Sequence, residues 1–388
     1  MELPQDITFE IFSLLPAKSV CKLKSTCRPF SKFLEENTFK TKQAHNLLGR
    51  DDTCFFIQPE QIRQRYGKRV ELQSLPKEQQ SSGVPKNVLT FLSNSACVLA
   101  SSNGLVLCRT INNDQLDLFV CNPVTKSWSF IPTLESLQIN YSNFDDINLM
   151  LDCSRGSSDD FLVYHFENTM ELSPTSYLCI VYHGKEGVWK TTESRFFPGG
   201  RNMKFDMPVF HNGAVHFISD SNVYFVRSSR FYKPYIMSYN LEDGTSTMLE
   251  LPIEATEDCH VICDMGIFNW DKVTSSNRSI CLVKLSESVF TIWVLRDYES
   301  ASWQKILKVR VKELGLKEKD VDVTGFTVMN GDLLVFSTEE KIYSCGLDNE
   351  RFMMVEEICQ HNCGSMPRFI SYSDTLRSCG INAETMPC

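Results

Sequence analysis

Between residues 118 and 356 the chain keeps returning to one unit: an apolar run, a turn, and a large side chain six residues after the one that opens the turn. The copies are LFVCNPVTKSWSFIP at 118–132, CIVYHGKEGVWKTTE at 179–193, WVLRDYESASWQKIL at 293–307 and IYSCGLDNERFMMVE at 342–356. A looser copy, IMSYNLEDGTSTMLELP, occupies 236–252. Trp128, Trp189, Met248, Trp303 and Phe352 therefore recur at steps of 61, 59, 55 and 49 residues. A period near fifty built from short apolar runs describes a supersecondary unit that cannot bury its own apolar face and must stack on its neighbours. Four-stranded propeller blades have that spacing, and the chain beyond residue 45 holds about six of them. A pair of β-sandwiches with coincidental turns is the other arrangement to weigh.

Three further signals share one dipeptide. Asn103-Gly104 precedes LVLC, Asn212-Gly213 precedes AVHF, and Asn330-Gly331 precedes DLLVF. Both residues tolerate the positive φ that a type I′ hairpin turn needs at its two central positions. Strand-like material at 53–76 forms an irregular first unit, and the closing RFISYSDTLRSC is placed to return and seal the ring, removing open sheet edges.

The first 45 residues follow a different period. Ile7, Ile11, Leu14 and Leu15 predict one amphipathic helix, with Asp6 at the positive end of its dipole. Pro16 suits the first turn of a second helix edged by Val20 and Leu23, and Pro29 starts a third carrying Phe30, Phe33 and Leu34. Three helices in about 40 residues are near the limit below which one core rarely supports itself. Its missing interior must come from the rest of the chain or from another polypeptide, and periodicity does not choose between them.

The run Leu3-Pro4, Ile7, Ile11, Leu15-Pro16-Ala17-Lys18-Ser19, Leu23-Lys24-Ser25-Thr26-Cys27-Arg28, Phe30 and Phe39 resembles the F-box motif, with Phe30 where that family commonly has Trp. The resemblance implies a segment that grips the Skp-type adaptor of a ubiquitin ligase, with Leu3, Pro4, Ile7, Ile11, Leu15, Pro16, Leu23 and Phe30 as the adaptor-facing or core set. Asn122-Pro123-Val124-Thr125-Lys126-Ser127-Trp128 is in turn similar to the kelch turn and to the F-box-associated propeller of plant F-box proteins. The kelch diglycine is missing from the repeats, and Gly199-Gly200 sits in a loop instead.

Composition excludes other classes. With 42% hydrophobic and 22% charged residues the chain is an ordinary globular one, and a net charge of −9 argues against nucleic acid or an anionic membrane as the partner. Residues 1–50 hold eight Lys/Arg against five Asp/Glu, which favours an acidic partner for the small module and leaves −12 on the remainder. No basic, apolar and small-residue leader opens the sequence, so a cytoplasmic or nuclear protein is expected, its 16 Cys reduced and mostly buried. No Gly-rich phosphate loop, Gly-x-Ser-x-Gly elbow or His-Glu-x-x-His pair occurs. Cys359/His361/Cys363 and Cys259/His260/Cys263 lack the paired spacing of a structural zinc site, and no Cys, Tyr and His set marks a copper oxidase, so neither metal nor cofactor is expected. Two basic-aromatic stretches stand out from the acidic domain: Arg227, Arg230, Tyr232 and Lys233 in one, Arg65 and Tyr66 in the other. Either is a solvated loop or a recognition element for an acidic or phosphorylated segment.

The expectation is thus an α+β chain: an F-box over 1–45 and an all-β kelch-like propeller over 46–388. The resemblance implies a non-catalytic substrate-recognition subunit of a Skp-cullin-F-box ubiquitin ligase. A non-degradative scaffold or small-molecule sensor on the same two domains is the alternative.

Overall fold

The computed structural model describes residues 4–24, 28–59, 70–76, 83–111, 117–134, 137, 149–155, 160–169, 176–222, 225–226, 228–257, 263–270, 279–318, 321–347, 355–363, 367–380 and 382–387, with backbone only at 5, 28–30, 33 and 169. Two compact units divide the chain. The first comprises Met1–Tyr164, Val181–Lys190 and Asn362–Cys388, and the second His165–Ile180 and Thr191–His361.

In the first unit the three expected helices are α1 (Gln5–Ser13), α2 (Ala17–Lys24) and α3 (Arg28–Glu35), and a fourth, α4 (Asn37–Asn46), follows them. Sheet structure then begins with β1 (Cys54–Pro59) and β2 (Glu71–Ser74), followed by α5 (Lys86–Ser95). Next come β3 (Ala96–Ser102), β4 (Leu105–Thr110), β5 (Leu118–Asn122) and β6 (Ser127–Ile131). The boundaries of the two units fall inside the strands of the next sheet, β7 (Leu149–Asp152), β8 (Leu162–Thr169), β9 (Ser176–His183) and β10 (Val188–Phe196).

The second unit holds the sheets β11 (Val209–His211) to β14 (Ser246–Glu250), β15 (Cys263–Trp270) to β18 (Ser302–Arg310), and β19 (Gly325–Met329) to β22 (Val355–Gln360). Between the ends of these lie β12 (Ala214–Ile218), β13 (Tyr235–Asn240), β16 (Ser279–Ser286), β17 (Val289–Asp297), β20 (Leu333–Ser337) and β21 (Lys341–Gly346), with the short α6 (Ile253–Thr256) after β14. Two strands come last, β23 (Pro367–Tyr372) and β24 (Glu384–Thr385).

Five of the six sheets are meanders, β3–β6, β7–β10, β11–β14, β15–β18 and β19–β22, which place strands adjacent in sequence side by side, and the sixth sets β1 between β2 and the distant β23. Inner strands such as β4, β5 and β17 are buried on both faces and read as continuous apolar runs, whereas the outer strands β10 and β18 alternate between exposed and shielded positions. Trp128, Trp189, Met248 and Trp303 lie on β6, β10, β14 and β18, the fourth strand of each meander, so the repeat in the sequence marks an outer strand. Phe352 lies outside the described residues. The turn before the aromatic is set by its first residue. Asn122 Oδ1 accepts the amides of Val124 (3.0 Å) and Thr125 (3.2 Å), and Asp297 Oδ1 those of Glu299 (2.9 Å) and Ser300 (3.3 Å).

The Asn-Gly signals are hairpin turns. Asn103-Gly104 (φ 44° and 83°) and Asn212-Gly213 (46° and 80°) each join strands through two residues of positive φ, and Asn330-Gly331 (52° and 70°) begins a turn one residue longer. The closing segment does return: β23 pairs antiparallel with β1 from Cys54↔Tyr372 to Pro59↔Pro367. β24 adds to the edge of β6, opposite Trp128 and Ser127.

The helices share the first unit's core. Ala17, Val20, Leu34 and Phe39 are buried in one cluster with Phe56, Val88, Leu92, Phe119, Tyr372 and Leu376. The small module therefore packs its interior against its own chain, which decides between the two sources that periodicity left open. Four short helices bury too little apolar area alone, and the nearest apolar surface is the flank of the sheets to which they are covalently joined.

Candidate functional site

Helix α1 is apolar on two sides. Phe9 and Phe12 face inward, Phe9 meeting Phe39 edge to face at 5.5 Å, and both pack against the first unit's core with Leu15. Ile7, Ile11 and Leu14 point away from it and remain 47%, 46% and 45% exposed. Spacings of four and three residues put them in one row along α1 and the turn that follows. Among the described residues only the inner side is covered.

The inner side is fixed by polar bonds as well as packing. The Ala17 amide donates to the Asp374 carbonyl (3.3 Å) and the Lys18 amide to Asp374 Oδ2 (3.1 Å), so two of the orphan donors at the start of α2 find acceptors and a carboxylate meets the positive end of the helix. Fully buried Gln43 on α4 donates through Nε2 to the Leu15 carbonyl (3.0 Å) and accepts the Leu376 amide at Oε1 (2.9 Å). Asn103, in the first Asn-Gly turn, donates to the Ala44 carbonyl (3.0 Å).

Residues 374–377 connect all of these parts. The Thr375 hydroxyl donates to the Asn103 carbonyl (2.7 Å), Asn122 Nδ2 donates to the carbonyls of Thr375 (3.0 Å) and Arg377 (2.9 Å), and Arg377 reaches the Asp160 carbonyl (2.5 Å). Gly104 has no alternative here, because at φ +83° a Cβ would collide with Thr375.

The expected adaptor-facing residues separate accordingly. Pro4, Ile7, Ile11 and Pro16 are exposed, while Leu15 and Leu23 are half-buried against the core and hold the module in place. Leu3 and the side chain of Phe30 lie outside the described residues. Leu14 completes the outward row; the stripe that predicts α1 includes it, although the motif-based set does not.

Of the basic-aromatic residues, Arg230 and Lys233 are exposed and Tyr232 half-buried, while Arg227, Arg65 and Tyr66 lie outside the described residues. His361 Nε2 lies 3.0 Å from the Thr338 carbonyl, Cys259 and His260 are outside the described residues, and among the described residues no three His, Cys, Asp or Glu side chains converge as metal ligands. All thirteen described cysteines are free thiols, ten of them buried. Burial pushes Cys153 up to about 11 and Cys281 to about 12, so these are protonated core side chains. Among the described residues no helix is long and apolar enough to cross a membrane.

Comparison with known proteins agrees with this geometry. A family profile described as "F-box protein At3g26010-like, beta-propeller" matches residues 57–371, and one described as "F-box-like" matches residues 1–41. The six sheets are the blades of that propeller. F-box protein At5g49610 of Arabidopsis thaliana is 21% identical over 321 residues, covering 80% of this chain and 79% of its own length. The F-box/kelch-repeat protein At3g17530 of the same plant is 23% identical over 318 residues, covering 79% and 75%. Among solved structures, the Pyrococcus horikoshii acylaminoacyl peptidase aligns with a TM-score of only 0.36 at 12% identity, over 75% of this chain and 41% of that one.

Proposed function

The chain belongs to the At3g26010-like family of F-box proteins with a β-propeller, and from that premise we propose that it is the substrate-recognition subunit of a Skp-cullin-F-box ubiquitin ligase. The outward row Ile7, Ile11 and Leu14 carries this reading, with Pro4 and Pro16 at its margins. A Skp-type adaptor covers the row and, through cullin and RING subunits, brings the ubiquitin-carrying enzyme near the target held by the propeller. The chain supplies no catalytic group. Its contribution is proximity: holding the target lysine beside the charged enzyme raises the effective concentration of one for the other. Marking the target for the proteasome, in cytoplasm or nucleus, follows from the same assembly.

Full burial of an Ile or Leu side chain is worth roughly 1.5–3 kcal/mol, so covering the exposed half of three contributes about 2–4 kcal/mol to adaptor binding. The test is co-expression of the full chain with a Skp-type adaptor, comparing wild type with Ile7→Glu/Ile11→Glu/Leu14→Glu. Capture should fall at least about a hundredfold, since buried charges add their desolvation to the lost apolar contact. Because none of the three is among the side chains packed against the first unit's buried core, the melting temperature should move by no more than about 2 °C. Undiminished capture by the folded triple variant would sink the proposal.

A further inference from the structure

Residues 225–226 and 228–234 belong to a loop that is held from below. Arg201 beneath it is only 3% exposed, and its guanidinium is spent entirely on this task. It donates to the carbonyls of Phe231 (2.8 Å), Tyr232, Asp220 (3.0 Å) and Asn222 (2.7 Å), and pairs with the Asp220 carboxylate (3.3 Å). The Tyr235 hydroxyl adds a second anchor, donating to the Pro198 carbonyl (2.7 Å) and accepting the amides of Gly200 (3.1 Å) and Arg201 (3.2 Å). Gly199 and Gly200 are needed for the close approach, because a Cβ on either would come within 2.9 Å of the Phe231 ring.

On this base the loop turns twice. The Ser229 amide donates to the Val226 carbonyl (2.9 Å) and the Tyr232 amide to the Ser229 carbonyl (3.0 Å). What the turns present is unlike the rest of the domain. Val226 is 74% exposed, Arg230 and Lys233 are exposed, and the Arg230 guanidinium lies 4.5 Å above the centre of the Phe231 ring. Residues 221–241 contain three Lys/Arg and no Asp or Glu, in a chain carrying −12 beyond residue 50. Among the described residues neither Arg230 nor Lys233 forms an ion pair, and the Asp220 carboxylate that precedes the loop is already taken by Arg201.

We infer that this loop is the docking element for an acidic segment of the target protein, with Arg230 and Lys233 meeting its carboxylates or phosphates and Val226 an apolar side chain beside them. The inference rests on the substrate-recognition reading and gives it a target class. The cost of ordering a loop is met before the target arrives, which favours a short extended ligand. Salt weakens the attraction, since the cations are exposed. Serine phosphorylation within the segment strengthens it, since a phosphate offers nearly two charges and three acceptor oxygens.

The test uses the full chain co-purified with its adaptor and three fluorescent dodecapeptides of one leucine-containing sequence: one rich in Asp and Glu, its Asn/Gln counterpart, and a serine-phosphorylated form. Anisotropy should show the acidic peptide binding at least tenfold tighter than the amide peptide, losing at least tenfold with Arg230→Glu/Lys233→Glu and about threefold with Arg230→Gln/Lys233→Gln. A phosphorylated form bound tighter still assigns a phosphorylated target, and one bound equally assigns an acidic target. Equal binding of acidic and amide peptides, no binding of any peptide, or wild-type binding by the charge-reversed protein would each overturn the inference. Adaptor co-purification is read in the same samples, so a failure of the adaptor reading appears separately.

Discussion

Gln43 offers the sharpest test of how the helical module is held. Its amide spans 333 residues of sequence, accepting the Leu376 amide while donating to the Leu15 carbonyl, and it has no exposed surface. Gln43→Leu keeps the volume and removes both bonds, leaving a buried N–H and a buried C=O with no side-chain partner. At about 1–3 kcal/mol for each group left unsatisfied, the expected loss is about 3–4 kcal/mol. For a unit of about 200 residues each kcal/mol shifts the midpoint by about 2–4 °C, so its calorimetric transition should fall by roughly 10 °C. Hydrogen exchange localises the effect: amides at 17–20 and 374–377 should lose protection first. Lys42→Ala removes the exposed Lys42–Glu10 pair (3.0 Å) from the same helix and should cost less than about 0.5 kcal/mol. If Gln43→Leu unfolds within 1 kcal/mol of wild type, or protection at 374–377 is unchanged, the polar clamp does not hold the module and this reasoning fails.

The repeat tryptophans make a graded set. Trp189 Nε1 donates to the Pro132 carbonyl (2.5 Å) and Trp303 Nε1 to the Glu250 carbonyl (3.0 Å), whereas the buried Trp128 Nε1 finds no acceptor among the described residues. Trp→Phe at 189 and 303 should therefore cost about 1 kcal/mol more in urea melts than at 128, and an equal cost at all three would contradict the assignment. His216 lies within the second unit, its Nε2 2.8 Å from the Tyr298 hydroxyl and Nδ1 3.2 Å from the Val209 carbonyl, and burial holds it down to about 4. Its folded value lies below its unfolded one, so the stability from keeping it neutral is present above about pH 6.5 and is lost as pH falls toward 4, on the order of 3 kcal/mol. His216→Gln should flatten that part of the stability profile, measured by chemical denaturation between pH 7 and pH 4; an unchanged slope would refute it.

The sequence made the β architecture legible because its repeated residues have repeated tasks. Trp128, Trp189 and Trp303 each stand on the fourth strand of a meander, and the Asn and Asp ahead of Trp128 and Trp303 close the turn with their own side chains. The outward row was legible for Ile7 and Ile11 through the helical period. Leu15 and Leu23 share that period but face the chain's own core, and one stripe cannot report which of two apolar sides finds its cover at home. Helix α4 escaped notice because what it buries, Phe39, Gln43 and Ala44, includes a polar side chain that hydropathy scores as surface. The closing segment RFISYSDTLRSC was legible as a returning stretch, but the tasks of Asp374, Thr375 and Arg377 in its part 374–377 were not: each is at most 6% exposed, because their partners lie far away in sequence.

That segment also gives the chain an order of assembly. The helices leave the ribosome first, but their seat includes residues made more than three hundred positions later, as does the strand that pairs with β1. During synthesis the helical module stands unfinished, and a product broken off before residue 374 lacks the acceptors and amides that seat it. Only a chain translated through that point can settle its helices, so any recruitment through them, as proposed above, would be tied to the translation of nearly the whole β domain.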